Sequence, residues 1–131
     1  MIIKHHQTYE KFFKFTQEDV ESFARVTGDT NPIHLDMEYA KNTIFKKPIM
    51  HGFLSASIFS RIFGTEFPGL GTIYLSQNLK FMKPMFSETE YKAIVSVKHI
   101  DSEKNVVTVE TKVIDETGKI TIDGEALIRV N

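Results

Sequence analysis

The pattern of hydrophobic and polar positions changes from helical spacing to alternation at about residue 72. Before that point, apolar residues at helical spacing follow Thr16, a good N-cap, and predict a helix over about Gln17–Thr27 that ends at Gly28. Asp36 can cap a second, short helix that runs through Ala40. Alternating residues predict strands over Gln7–Phe15, Thr72–Lys83, Glu90–Ile100, Val106–Asp115 and Ile120–Val130.

The most hydrophobic stretch, residues 53–63, is apolar nearly all round, which predicts a helix buried on most of its faces. Residues 64–71 carry three Gly and a Pro and are expected to form a loop, and residues 101–105 and 116–119 are expected to be hairpin turns. The order of one strand, a buried helix and four long strands is an α+β order. It predicts an antiparallel sheet wrapped around one central helix.

Composition and charge exclude several classes of function. The 131 residues suit one domain over residues 1–131, and a formal net charge of −1 gives no footprint for nucleic acid or an anionic membrane. No apolar run reaches the ~18 residues of a membrane span, and no signal peptide is visible. The absence of Cys excludes a disulfide framework, thiolate ligands and a Cys nucleophile, and fits a cytoplasmic protein. His5 and His6 are expected to be exposed rather than metal ligands.

Candidate chemistry lies at the end of the first predicted helix. Asp29 and His34 flank the turn dipeptide Asn31-Pro32, whose ring fixes one φ angle and keeps Asn31 out of the α region. A stiff reversal outside regular structure is therefore expected to aim both side chains at one point, as proton transfer requires. Turn chemistry alone would account for each of these residues except His34.

Residues 23–40 resemble the signature of the (R)-specific enoyl-CoA hydratases, the MaoC-like dehydratase group of the hot-dog fold. The pattern is an aromatic residue, a spacer, Gly-Asp-x-Asn-Pro-aliphatic-His and a later small residue, and so many fixed positions make it specific. The resemblance covers essentially the whole chain and implies the same fold that the element order predicts. The matching positions here are Phe23, Gly28, Asp29, Asn31, Pro32, Ile33, His34 and Ala40.

The resemblance implies a catalytic set. Asp29 and His34 would hold one water molecule between them, as base and acid, and the N–H of Gly52 would bind the thioester oxygen. Gly52 also begins the central helix, where N–H groups lack partners and the helix dipole favours negative charge. No metal or redox cofactor is implied, and coenzyme A or an acyl carrier would carry the substrate as a thioester. A homodimer is implied as well, since the sheet leaves an exposed edge.

Three further residues are expected to support this set. By resemblance, Ser60 would orient Asp29, although a helical Ser can instead bond back to its own helix. Asn31 would fix the catalytic loop or be a plain turn residue. His51 would be a supporting residue and not a second base.

Three residues are expected to contact substrate. By resemblance Phe63 borders the acyl pocket, and a bulky ring there favours short acyl chains of roughly four to six carbons, because each excess methylene is rejected at ~1–3 kcal/mol. Alternatively, Phe59 and Phe63, which are four residues apart on one helix face, would simply belong to the core. Lys80 and Lys83 would meet the phosphates of coenzyme A or of a carrier arm, or would simply be solvated.

Two other functions stay open at the level of sequence. A hot-dog thioesterase would direct water at the thioester carbonyl, but its signature usually lacks the Asn-Pro-x-His segment. A non-catalytic acyl-thioester binding module would have lost its acid or base, whereas this chain keeps both Asp29 and His34. Which of the two moves the first proton is not assigned, because coupled groups titrate together.

Overall fold

The computed structural model describes residues 3–131, and its strands form one sheet. All strand pairs are antiparallel. The strands are β1 (Thr8–Phe13), β2 (Ile73–Phe81), β3 (Tyr91–Asp101), β4 (Val106–Ile114) and β5 (Ile120–Arg129). Their order in the five-stranded sheet is β1-β3-β4-β5-β2, so β1 and β2 are its edges.

The helices lie between β1 and β2 in the chain. They are α1 (Gln17–Thr27), α2 (Pro32–Leu35), α3 (Met37–Lys41) and α4 (Gly52–Arg61), which continues into a π-helical segment (Ile62–Glu66). The predicted bounds of α1 are confirmed, with a capping box between Thr16 and Asp19 and a left-handed Gly28 at φ 80°. Asp36 caps α3 as predicted. None of the helices within residues 3–131 combines the length and the apolar character needed to cross a bilayer.

The core lies between the sheet and α4 with its π-helical extension, which confirms the predicted α+β arrangement. Alternate residues of the central strands are buried because successive side chains of a strand point to opposite faces. The fully buried side chains of this core include Ile58, Phe59, Ile62, Phe63, Val95, Val97, Val107, Val109, Val113, Ile122 and Ile128.

One prediction for the end of the central helix is wrong in part. The loop expected from Gly64 begins only after Glu66, because the Phe67 N–H bonds to the Ile62 carbonyl at 2.7 Å and closes a π-helical turn. The prediction that the central helix is buried on most faces is confirmed, with one exposed stripe of Phe53, Ser57 and Ser60. Two of the small polar residues, Ser57 and Ser60, lie on this stripe, whereas Ser55 is buried.

Candidate active site

The segment from Gly28 to His34 folds as a tight turn followed by one helical turn. Gly28 ends α1 by donating its N–H to the Ala24 carbonyl at 2.9 Å. The Asn31 side chain accepts from the Ile33 N–H at 3.1 Å and caps α2, with Pro32 in the first position. The expectation that His34 lies outside regular structure is therefore wrong, because a Pro at the first helical position favours the helix.

The orientation of His34 is determined by its contact with Ile49. Nδ1 of His34 lies 2.8 Å from the Ile49 carbonyl oxygen. Because a carbonyl only accepts, Nδ1 donates, and Nε2 of the neutral ring keeps a free lone pair. The Ile49 N–H donates in return to the Ile33 carbonyl at 3.1 Å, and Gln17 Nε2 donates to the His34 carbonyl at 3.0 Å. The first of these bonds fixes the ring of His34, and the other two fix the backbone of the helical turn that carries it.

Asp29 presents one carboxylate oxygen to that free nitrogen. Its Oδ1 accepts from the Asn31 N–H at 3.4 Å, and its own N–H donates to Thr27 Oγ1 at 3.2 Å. Its Oδ2 lies 4.0 Å from Nε2 of His34, and the two side chains are 51% and 11% exposed, respectively. The structure therefore brings the two predicted proton-handling groups together, the carboxylate at the surface and the ring largely covered.

The facing atoms of this pair are both hydrogen-bond acceptors. Neither an ionised carboxylate nor an unprotonated Nε2 donates a proton, so the 4.0 Å gap suits a donor between them. One water molecule about 2.8 Å from each atom can donate one hydrogen to each. The lone pairs of its oxygen then point away from Asp29 and His34. This arrangement polarises water toward hydroxide.

Within residues 3–131, the Gly52 N–H has no hydrogen-bond partner and lies beside the pair. It is the first residue of α4, and no side chain caps that end of the helix. Its N–H therefore lacks an intrahelical partner at the positive end of the helix dipole. Gly52 and His34 both line a cavity of about 410 Å³, and both also line a second cavity of about 300 Å³ that contains Asp29. The two cavities meet at these residues and Phe53.

The larger cavity is lined mostly by apolar side chains, which suits an acyl or pantetheine chain better than a polar substrate. Besides His34 and Gly52, its lining comprises Phe45, Ile49, Met50, Phe53, Ser55, Phe81, Met82, Lys83, Pro84, Met85 and Ile122.

Of the two predicted phosphate-binding lysines, the structure brings only Lys83 to the cavity. Lys80 is exposed on β2 and is not among the lining residues. Lys83 Nζ lies 3.1 Å from Asp115 Oδ2. The hydroxyl of Thr117, with further hydrogen bonds from the Lys119 N–H and from Lys83, holds the pKa of the Asp115 carboxyl well below its usual range. Lys83 thus already faces a negative charge.

Within the described residues of one chain, the structure does not bring Ser60 to Asp29, so its orienting role stays a prediction. Ser60 lies on the exposed stripe of α4, and no hydrogen bond joins it to Asp29 among residues 3–131. The buried serine of this helix is Ser55, whose hydroxyl donates to the His51 carbonyl at 3.3 Å. The cause is the exposed stripe itself, which turns position 60 away from the core. The Asn31 side chain caps α2 and its backbone N–H donates to the Asp29 carboxylate, while its role in fixing the catalytic loop stays a prediction.

Phe63 is not brought to the cavity that His34 and Gly52 line. Its side chain is only 1% exposed and packs edge to face against Tyr74, with ring centroids 5.3 Å apart. The core alternative for the Phe59–Phe63 stripe therefore describes both residues. Tyr74 in turn lines a groove of about 290 Å³ between α4 and β2 that also contains Phe53. Phe63 lies behind that groove and not in the site itself.

Sequence reasoning missed several residues that shape the site. Ile49 acts through its backbone carbonyl, which leaves no side-chain signal. Gln17 and Thr27 were expected only as the ends of α1, yet their side chains bond to His34 and Asp29. Phe81 was expected only as part of the strand over Thr72–Lys83, yet its ring lies against Gly52.

The donor atoms of Asp29, His34 and His51 lie within 4.8 Å of one another, as metal ligands do. The hydrogen bonds of these residues, however, leave few of the nitrogen and oxygen atoms free to bind a metal ion. His34 Nδ1 and His51 Nε2 bond to carbonyl oxygens, and His51 Nδ1 is buried. The two imidazole rings stack at a centroid distance of 3.8 Å, so their in-plane lone pairs do not converge. Two groups, His34 Nε2 and the Asp29 carboxylate, remain free as ligands, which is fewer than the three or four protein ligands of a zinc site. The residues therefore do not fit a resident metal.

The sequence matches the model of the MaoC like domain family over residues 2–119. It is 38% identical to the (R)-specific enoyl-CoA hydratase of Aeromonas caviae, over 89% of this chain and 87% of that protein. It is 39% identical to the (R)-specific enoyl-CoA hydratase of Rhodospirillum rubrum, over 98% of this chain and 88% of that protein.

The fold is similar to that of a solved relative. The structure of the (R)-hydratase from A. caviae involved in PHA biosynthesis superposes with a TM-score of 0.95, at 36% identity, over 98% of each chain. The five-stranded antiparallel sheet around α4 is thus the hot-dog fold, as predicted.

Proposed function

Because this chain belongs to the MaoC-like domain family, we propose that it is an (R)-specific enoyl-CoA hydratase, which works in reverse as a 3-hydroxyacyl-CoA dehydratase. The observation that carries the mechanism is the 4.0 Å separation of two acceptors, Asp29 Oδ2 and His34 Nε2, beside the unpartnered Gly52 N–H.

In the proposed reaction, one water molecule donates a hydrogen bond to Asp29 and another to His34. Its oxygen attacks Cβ of the trans-2-enoyl thioester while one of its protons passes to the pair. The electrons of the double bond move to the thioester oxygen and form an enolate. A proton from the same pair then reaches Cα, so that water is added across the double bond. The order in which Asp29 and His34 exchange the protons is a property of the coupled pair.

Gly52 is proposed to bind the enolate oxygen. Its N–H lies at the start of a ten-residue helix, where the dipole favours negative charge. A donor of this kind typically contributes about 3–4 kcal/mol of transition-state stabilisation. Because both protons are handled by groups on one side of the cavity, hydroxyl and hydrogen add to the same face of the substrate.

The carrier is proposed to be coenzyme A, with an acyl carrier protein as the alternative to be tested. The mostly apolar cavity suits the pantetheine and acyl portions that both carriers share. No metal or redox cofactor takes part in the proposed reaction, because its charges are handled by Asp29, His34 and a backbone N–H. The absence of Cys is compatible with the reducing cytoplasm as the proposed location.

The proposed activity is tested by adding crotonyl-CoA to the purified protein and following the loss of enoyl absorbance, then resolving the product on a chiral column. We expect (R)-3-hydroxybutyryl-CoA and no free thiol. Release of free thiol would identify a thioesterase instead. Binding without turnover of either crotonyl-CoA or its acyl carrier counterpart would identify a binding module.

We also propose that the protein is a homodimer paired through β2. This edge strand carries exposed Ile73, Leu75 and Phe81 beside the exposed Phe53 of α4, and its only charged residue is Lys80. The other edge, β1, carries Glu10 and Lys11, charges of the kind that protect an edge from pairing. A twofold axis beside β2 would cover the apolar residues of both copies. It would also place the interface beside Phe53, which lines the cavities of the site.

A further inference from the structure

The ring of His51 lies between the loop that carries Asp29 and the start of α4. It is only 2% exposed, and its Nε2 lies 3.0 Å from the Asp29 carbonyl oxygen. Because the carbonyl accepts, Nε2 carries the proton and Nδ1 is an unprotonated acceptor. That Nδ1 is buried and has no hydrogen-bond partner within residues 3–131. A buried acceptor left without a partner is costly, so a compensating role is expected.

The face of the same ring supports His34. The imidazoles of His51 and His34 stack with centroids 3.8 Å apart and planes inclined by 28°. The His51 ring also contacts Phe23 of α1 at a centroid distance of 4.8 Å. His51 therefore touches both members of the proton-handling pair, one through a hydrogen bond to its backbone and the other through its ring.

The chemistry of the pair explains why this ring must be neutral. When His34 takes a proton from water it becomes a cation, and a second cation stacked on it would oppose that step. A proton on Nδ1 of His51 would also be a buried charge without an acceptor. The face of a neutral aromatic ring, in contrast, attracts an adjacent cation.

We propose that His51 is a positioning residue that couples Asp29 and His34: its Nε2–H holds the loop of Asp29, and its neutral ring face holds the His34 imidazole. This inference rests on the proposed hydratase activity and adds to it the residue that sets the separation of the pair. Its predicted signature is a loss of kcat without a comparable change in KM, because His51 is not expected to contact substrate.

The two contacts can be removed separately. In His51→Gln, the amide nitrogen can still reach the Asp29 carbonyl but the ring is lost. In His51→Phe, the ring is kept but the donor is lost. We expect each variant to lower kcat for crotonyl-CoA by about tenfold or more, since misplacing reacting groups by an ångström can cost a hundredfold. His51→Ala, which loses both contacts, should fall further. His99→Gln removes an exposed imidazole on β3 and should retain the wild-type rate.

A purely structural role would lower the unfolding temperature but leave kcat per folded molecule unchanged, and that result would overturn the proposal. Wild-type kcat in both His51→Gln and His51→Phe would overturn it as well. Because the wild-type protein is assayed in parallel, failure of the hydratase activity itself would be seen there first.

A measurement on the wild-type protein can contradict the proposal even if every variant unfolds. The ¹⁵N spectrum of histidine-labelled protein should show His51 as the neutral Nε2–H tautomer and His34 as the neutral Nδ1–H tautomer under assay conditions. The Nδ1–H tautomer of His51 would contradict the proposal, because its Nε2 could not donate to the Asp29 carbonyl. The imidazolium would contradict it as well, because the ring stacked on His34 would then carry a charge.

Discussion

The ring of Phe81 lies directly over the Cα of Gly52. A Cβ atom placed on Gly52 would stand 2.8 Å from Cε1 and 2.9 Å from Cζ of that ring, closer than real Cβ contacts come. The ring at the end of β2 thus fills the place of a side chain on the first residue of α4, whose N–H is the proposed oxyanion donor. Phe81 can pack this closely only because position 52 has no side chain.

Gly52→Ala is therefore expected to separate activity from stability. The half-exposed Phe81 ring can move outward, and Ala is a better helix former than Gly by about 0.5–1 kcal/mol, so the unfolding temperature should not fall. Turnover of crotonyl-CoA should fall on the order of a hundredfold, the usual loss when an oxyanion donor becomes unusable. Gly64→Ala is the matched control, since a Cβ there meets nothing within 4 Å. A Gly52→Ala variant with wild-type turnover would refute the proposed donor.

Removing either acceptor of the pair should abolish water activation. We expect Asp29→Asn or His34→Ala to lower turnover by at least about a hundredfold, the usual contribution of a general acid or base. The exposed Glu21 of α1 provides the control. Glu21→Gln also removes an exposed carboxylate, but one outside the site, and should leave the rate unchanged. Rates and thermal unfolding are compared for all three variants. Near-normal turnover in both site variants would remove the basis of the mechanism.

The expected preference for short acyl chains is tested at Phe63, on the expectation that the acyl chain extends past Phe53 into the groove between α4 and β2. Its buried ring supports Tyr74, which lines the groove beside Phe53, so a smaller residue should let the groove deepen. We expect the wild type to hydrate crotonyl-CoA faster than dodecenoyl-CoA, and Phe63→Leu to shift that ratio toward the longer substrate. Phe59→Leu truncates an equally buried ring of the preceding helical turn and should change stability without changing the ratio. Faster wild-type turnover of dodecenoyl-CoA would contradict the preference.

The proposed dimer interface can be tested at Leu75. This residue lies at a β-bulge between Tyr74 and Ser76, and its side chain is about half exposed on the edge strand β2. We expect Leu75→Glu to halve the mass measured by light scattering, because two carboxylates would face each other across a twofold axis. Phe12→Glu introduces the same charge on the opposite edge strand and should leave the mass unchanged. A wild-type monomer would exclude this interface.

Glu66 should make stability depend on acidic pH. Partial burial acts to raise its pKa, but hydrogen bonds from Tyr9, Lys11 and Arg61 outweigh that effect and hold the pKa below its ordinary value of 4.5. A lowered folded pKa means that the stabilisation is complete above the ordinary value and is lost as the pH falls through the folded value.

We therefore expect Glu66→Gln to lower the free energy of unfolding by about 1–2 kcal/mol at pH 7, the scale of a lost charged hydrogen bond. The difference from wild type should shrink at pH 3. Thermal melts across this range test the prediction, with Glu103→Gln in the exposed β3–β4 turn as the control. A difference that does not change with pH would show that the charge of Glu66 is not the cause.

The sequence by itself determined the strands, the long helices and the identity of the chemical pair, but not α2 or the π-helical segment. A cap at Thr16, a left-handed stop at Gly28 and an Asn-Pro turn are local signals, so the bounds of α1 were predictable. The alternation after residue 72 likewise predicted the strands, because burial of one sheet face imposes a period of two. The spacing of Asp29 and His34 around a stiff turn was enough to expect that they meet.

Only the tertiary structure decided how the pair is held. The bond that sets the His34 tautomer joins residues 15 positions apart, and the bond from His51 to Asp29 spans 22 positions. Both acceptors are backbone carbonyls, which every residue carries, so no sequence pattern marks them. The exposure of Ser60 was equally out of reach, and the sequence left the burial of Phe63 as one of two alternatives, because the face of a helix that packs inward is chosen by the sheet it meets.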